Sequence, residues 1–149
     1  MSERIETAAL RDFSVSLCRA AGLSADDAAL LTDSILFAEC RGVTSHGLLR
    51  LPQYIARLRS GATASNVPMP FTMESGGTAR LDAQNGLGQL AGRKASDKAE
   101  ELAAEYGVSF VAVANSNHFG TGAWYAIPAA RRGFFAFNIS SAASAMAPH

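Results

Sequence analysis

An excess of charge of either sign is the first thing missing from this sequence. Its 149 residues carry 13 Lys and Arg against 13 Asp and Glu. A neutral chain with no basic arm has no bulk electrostatic reason to bind nucleic acid or an anionic membrane surface. Long apolar runs are missing too, and nothing approaches the roughly 20 residues that a membrane span requires. The charged start, MSERIETAALRD, is not that of a secretory signal. Cysteine is scarce: Cys18 and Cys40 stand far apart and outside any CxxC pattern. They read as small core residues rather than a redox pair, and a reducing, cytoplasmic compartment is the default. Three histidines and two cysteines show no metal-ligand spacing, and neither HExxH nor GxSxG occurs, so no metal site is expected.

What is present is an ordinary core former, 48% hydrophobic and 17% charged, long enough to fold without disulfides. Helical periodicity dominates the first third. Thr7 can cap a helix that runs to about Ala21 and stops at Gly22. Ser24 caps a second, with Asp26 and Asp27 favourable to its dipole and Ala28, Leu31, Ile35 and Ala38 as its buried stripe. A third runs from about Ser45 to Ser60-Gly61, with Pro52 imposing either a kink or a later start. The pattern then changes. Pro70 to Glu74 and Thr78 to Asp82 read as paired strands about Gly76-Gly77, and Leu87 to Tyr106 as a long amphipathic helix. Val108 to Ala114 reads as a buried strand, Thr121 to Arg132 as a helix closed by Gly133, and Phe134 to Ile139 as another buried strand. The expectation is an α/β fold: a three-helix segment, then a mixed sheet. The last residues, Ala147-Pro148-His149, follow a strand closely, so the fold reads as incomplete at its C-terminus.

Two constellations could carry chemistry. On a helical wheel His46, Arg50, Tyr54 and Arg57 share one stripe beside Leu48, Leu51, Ile55 and Leu58. A guanidinium grips a carboxylate through two bonds, and an imidazole one turn away can exchange a proton with a neighbouring carbonyl oxygen. That equipment suits a 2-oxo acid, although a solvated face with an incidental histidine has the same spacing. The second constellation is Asn115-Ser116-Asn117-His118-Phe119-Gly120-Thr121-Gly122, between a strand and a helix. Ligands of open α/β sheets gather at such strand ends. Gly120 and Gly122 permit close approach to the backbone, and Thr121 with the helix start offers donors to an anion. A loop histidine that merely satisfies its turn is the plain alternative. A third pattern, Gly86-Leu87-Gly88 to Gly92, approaches the dinucleotide fingerprint, but the strand after it ends without the acid that would hold a ribose. It reads instead as a tight turn with close helix packing.

TSHGLLRLPQY and NSNHFGTGAWYA, with LDAQNGLGQLAG and RRGFFAFNISSA, resemble the type 2 malate/L-lactate dehydrogenase family, which also holds ureidoglycolate and sulfolactate dehydrogenases, diketogulonate reductase and cyclic imino acid reductases. The resemblance implies a non-Rossmann fold and a cytoplasmic homodimer. It also implies hydride exchange between NAD or NADP and a small 2-oxo or 2-hydroxy acid, or a cyclic imino acid. It makes His46 and His118 the acid/base candidates, with His46 favoured for its nearness to Arg50. It gives Arg50 the substrate carboxylate, with Ser45 and Tyr54 beside it, and Gly120, Thr121, Ser140 and Ser141 the cofactor. Where the family continues with Thr-Asn-x-Ser-Pro this chain has Ser140-Ser141-Ala142-Ala143-Ser144, which weakens the cofactor assignment there. Family members are more than twice as long, so residues 1–62 would form the helical segment and 63–149 the first part of the oxidoreductase domain. An inactive fragment, or a carboxylate-binding module without redox chemistry, are the rival readings.

Overall fold

A computed structural model describes residues 5–141. It is a mixed α/β structure in which helices α1 (Thr7–Ala20) and α2 (Ala25–Glu39) lead into a short helix α3 (Leu51–Arg59). Strands β1 (Phe71–Ser75) and β2 (Thr78–Asp82), helix α4 (Gly88–Tyr106), strand β3 (Phe110–Ala114) and helix α5 (Ala123–Arg131) follow. The residues Ala142 to His149, with the Ser144 position and the chain end considered above, lie outside the described residues.

Helix α2 forms where its sequence requires it. The Ser24 hydroxyl accepts the Asp27 N–H at 3.1 Å, and Ala28, Leu31, Ile35 and Ala38 are all buried. Helix α1 starts differently from expectation: Glu6, not Thr7, is its N-cap, and no side chain caps it. Gly22 does end it, at φ +99°. Cys18 is buried against Thr32 as a core residue, whereas Cys40 is exposed at the end of α2. Leu51 and Leu58 of α3 join Leu31, Ile35 and Leu87 in the principal core.

Pro52 resolves its ambiguity by delaying the helix. Residues Thr44–His46 and Leu48–Arg50 form two single 3-10 turns, and α3 begins at Leu51 with Pro52 in its first turn, where no N–H is needed. His46, Arg50 and Tyr54 therefore do not share one continuous α-helical stripe.

The sheet has the order β1-β2-β3, antiparallel between β1 and β2 and parallel between β2 and β3. Strands β2 and β3 with α4 between them make a βαβ unit. Their pairing runs on past the strands, with Ala83 N–H donating to Ala114 O and Asn85 N–H to Asn115 O. The loops after β2 and β3 are thus held side by side. Two expectations fail at the far edge. Strand β3 is not buried: Phe110 is 62% exposed and Val113 is also open to solvent. Phe134 to Ile139 forms no strand among the described residues, and Phe135, Phe137 and Ile139 face outward, Phe135 at 95% exposure. Alternation along a chain fixes strand character, but pairing needs a neighbour, and among the described residues β3 has a free edge.

The Gly-rich turn serves packing. A Cβ on Gly88 would stand 2.3 Å from Asn117 O and 2.5 Å from His118 O, which no flexible side chain could relieve. Gly88 lets the start of α4 seat the His118 loop directly on its backbone. Gly88→Ala should therefore lower stability by about 1–3 kcal/mol, read by urea unfolding, and should disturb the His118 ring signals while Gly107→Asn, at a solvent-open left-handed helix end, should leave those signals in place.

Candidate active site

The two imidazoles, 72 residues apart in the chain, come together. His46 and His118 stack with ring centroids 5.2 Å apart and planes inclined by 27°. Each is held from behind. Ser45 Oγ lies 3.0 Å from His46 Nδ1. Tyr54 Oη lies 2.7 Å from His118 Nδ1, and the Gly120 N–H points at the same nitrogen from 3.4 Å. Tyr54 is itself buried, 5% exposed, and its hydroxyl also accepts the Gln89 amide N–H at 2.6 Å. An amide nitrogen can only donate, so the single proton of Tyr54 is left for His118 Nδ1. That nitrogen is then an acceptor, and the neutral ring carries its proton on Nε2.

The loop that presents His118 is pinned on every side. Asn117 donates its amide to Asn85 O, Asn85 Oδ1 and Gly86 O, at 2.9, 3.0 and 3.0 Å, and accepts from Arg57 at 2.8 Å. Tyr125 of α5 donates its O–H to Phe119 O, and its ring fills the space left open by Gly92. Gly120, at φ +81°, turns the chain inward against Ser34 and Gln89 and is buried.

A cleft of about 250 Å³ opens between α3 and this loop, lined in part by Arg50, Gln53, Arg57, Asn117 and His118. Arg50 donates Nε–H to Ser45 O at 2.8 Å and one Nη1–H to Gln53 Oε1 at 2.9 Å, which fixes the guanidinium and leaves further N–H groups unspent. Arg57 is more fully committed, to Thr63, Ala62 and Asn117. Neither arginine forms an ion pair with an acid of the described residues. The cleft is therefore a cationic recess suited to a small carboxylate. A wider crevice of about 410 Å³ lies where β2 and β3 end, lined by Asp82, Gln84, Asn85, Asn115 and Ser116. Its one charged group, Asp82, accepts from Asn115 and the Gln84 N–H, which lower its pKa. It holds no cationic side chain.

Electrostatics follow the geometry. Burial lowers the proton affinity of His118, and the positive charge of Arg50 and the neighbouring His46 lower it further. His118 is exposed overall, yet its Nδ1 is held by Tyr54 and one face of its ring by the stacked His46. Burial raises the pKa of Tyr54, against the opposing pull of Gln89 and Arg50. Gln89 is the residue that sequence reasoning missed. It is 1% exposed, and its Oε1 finds no partner, a loss worth about 1–3 kcal/mol for a buried polar group.

Of the other residues singled out earlier, Thr121 is half-buried just before α5, and Ser140 and Ser141 are exposed on the segment that Asn138 links to Gly122 O at 3.5 Å. No group of three His, Cys, Asp or Glu among the described residues could hold a metal ion, and none of their helices is long and apolar enough to cross a membrane.

Folding lowers the proton affinity of His118, so the stability tied to this group is present above its ordinary pKa of 6.5 and is lost as the pH falls through the lower folded value. Arg50→Gln removes one positive neighbour and should move the His118 midpoint upward in an NMR titration of its ring protons; an unchanged midpoint would separate the guanidinium from the imidazole.

Comparison with known proteins places the chain in a family. The model of the family described as malate/L-lactate dehydrogenase matches residues 5–149. The chain is 34% identical over 145 residues to a malate dehydrogenase of Pyrococcus abyssi, covering 97% of this chain and 40% of that protein. It is 37% identical over 127 residues to an L-sulfolactate dehydrogenase of Methanocaldococcus jannaschii, covering 85% and 37%. The solved malate dehydrogenase of Pyrococcus horikoshii superposes with a TM-score of 0.85 at 32% identity, over 88% of this chain and 38% of that one. The chain thus spans about two fifths of the length of the relatives it matches. Over that span, this protein belongs to the malate/L-lactate dehydrogenase family.

Proposed function

We propose that this chain supplies the carboxylate-binding and proton-handling part of an NAD- or NADP-dependent oxidoreductase acting on a small 2-oxo or 2-hydroxy acid. The observation that carries the reading is a cleft lined by a braced arginine with no acid paired to it and by His118, on whose ring His46 stacks. Family membership supports the same chemistry.

In this reading Arg50 holds the substrate carboxylate with its unspent N–H groups, and its bonds to Ser45 and Gln53 keep the fork aimed into the cleft. That places the 2-carbon and its oxygen beside the imidazoles. His118, neutral with an outward Nε2–H, donates a hydrogen bond to the carbonyl oxygen and polarises it. His46, braced by the Ser45 hydroxyl, carries the proton that the oxygen gains on reduction and returns on oxidation. Tyr54 lines the cleft beside Arg50, where it can meet the substrate, and its hydroxyl positions His118. Fixing the reacting carbon by its carboxylate is worth several kcal/mol of the barrier, and positioned acid/base help roughly 10²–10⁴-fold in rate.

The nicotinamide, when bound, supplies or takes up the hydride. Thr121 at the uncapped start of α5 and the exposed hydroxyls of Ser140 and Ser141 suit such a polar group chemically. Gly120 faces inward and acts through the turn it makes. A cytoplasmic homodimer is part of the same proposal.

The test is steady-state kinetics on the protein that carries this chain, with oxaloacetate, pyruvate and 3-sulfopyruvate and either cofactor. Arg50→Lys should raise KM about 10- to 100-fold, the loss of charge-assisted bonds worth about 1.5–3 kcal/mol. His46→Ala and His118→Ala should each cut kcat by on the order of 10²-fold or more. Full turnover in His46→Ala would remove that residue from the proton path. Carboxylate binding without any cofactor-dependent turnover would identify a binding module.

A further inference from the structure

We infer that Gln89 is a positioning residue, which acts through Tyr54 to decide which nitrogen of His118 faces the cleft with a proton. The inference deepens the reading above and depends on it for its catalytic consequence. The hydrogen-bond geometry stands without it.

The three groups form a directed chain. Gln89 Nε2–H donates to Tyr54 Oη at 2.6 Å, and Tyr54 O–H donates to His118 Nδ1 2.7 Å away. Tyr54 has one proton to give, so what Gln89 offers on one side dictates what Tyr54 offers on the other. With the amide N–H toward Tyr54, Nδ1 must accept. The Gly120 N–H reinforces this by pointing at the same atom. The proton of the neutral ring is then on Nε2, at the open edge. With an amide oxygen toward Tyr54 the chain would reverse. Tyr54 would donate to that oxygen, Nδ1 would have to be N–H, and Nε2 would present a lone pair to the cleft, the opposite tool for a substrate oxygen.

Gln89 is placed to hold one of these settings. It is 1% exposed, and it sits in the first turn of α4, whose seat against the His118 loop is fixed by Gly88. Gly120 packs on its side chain, 3.7 Å from Nε2. Its Oε1 is left in the interior without a partner. An amide needed only for packing would be replaced at no loss by an apolar side chain of the same length. A buried amide with one end orphaned and the other on Tyr54 is accounted for by the bond it makes. Arg50 and His46 bias the protonation of His118 by charge and select no tautomer; the titratable Tyr54 acts through its bond to Nδ1, which does.

The readout is the pair of imidazole nitrogen shifts of His118 in nitrogen-15-labelled protein, above its titration midpoint. Native protein should show Nδ1 unprotonated and Nε2 protonated. Gln89→Glu, isosteric but an acceptor only, should draw the Tyr54 proton toward itself, convert His118 to the Nδ1–H form and raise its midpoint. Gln89→Met should leave a mixture, and adding it to Tyr54→Phe should change nothing further in the His118 shifts. Where turnover is measurable, Gln89→Glu should lower kcat by on the order of 10²-fold and shift its pH profile, while KM stays near the native value. An Nδ1–H native ring, or His118 shifts indifferent to both substitutions at Gln89 in folded protein, overturns the inference. Should Gln89→Glu not fold, the Gln89→Met and Tyr54→Phe spectra decide alone. The shifts need no catalysis, so loss of the tautomer effect and loss of the dehydrogenase reading are separate results.

Discussion

The hydroxyl of Tyr54 is where the two halves of the site become one. Its ring is part of the core that α1, α2 and α3 build, and its oxygen meets α4 through Gln89 and the loop after β3 through His118. A hydroxyl with one donor and limited acceptor capacity, buried at this junction, admits few arrangements of its neighbours. The stacking of His46 on His118, the wall of the arginine cleft and the low proton affinity of His118 all presuppose that junction.

The two sides of the site differ in how they are held. His118 rests on a parallel strand pair, a glycine contact with no slack, three amide bonds from Asn117 and the Tyr125 hydroxyl. His46 and Arg50 rest on two isolated 3-10 turns ahead of a proline-delayed helix. Glu39 steadies that side, since its carboxylate accepts the Leu48 N–H at 2.8 Å and occupies the space over Gly47. His118 thus sits on rigid elements, whereas His46 and Arg50 sit on a short local segment braced by few bonds.

Much of this was legible in the residues. The α2 stripe and its Ser24 cap, the hairpin at Gly76-Gly77, the span of α4 and the packing role of its glycines are local patterns with local causes. The misreadings share a cause of another kind. Phe134 to Ile139 and β3 carry strand patterns, but burial depends on what lies alongside, which alternation cannot specify. The wheel placed His46, Arg50 and Tyr54 on one stripe, yet Pro52 breaks that helix; the residues still meet because the chain refolds into tighter turns. Gln89 stayed hidden between glycines that drew the eye. A lone amide has no signature until its partner, 35 residues away, is known.

The stretch from the second 3-10 turn into the start of α3 has an evolutionary corollary. Leu49 is exposed, Gln53 touches the cleft from a solvent-facing position, and neither helps to fill the core. Exchange at Gln53 can reshape the mouth of the recess without repacking the core or displacing an imidazole. The rim of the recess can thus vary while the His118 loop keeps its form, because the two are held by separately supported stretches of backbone.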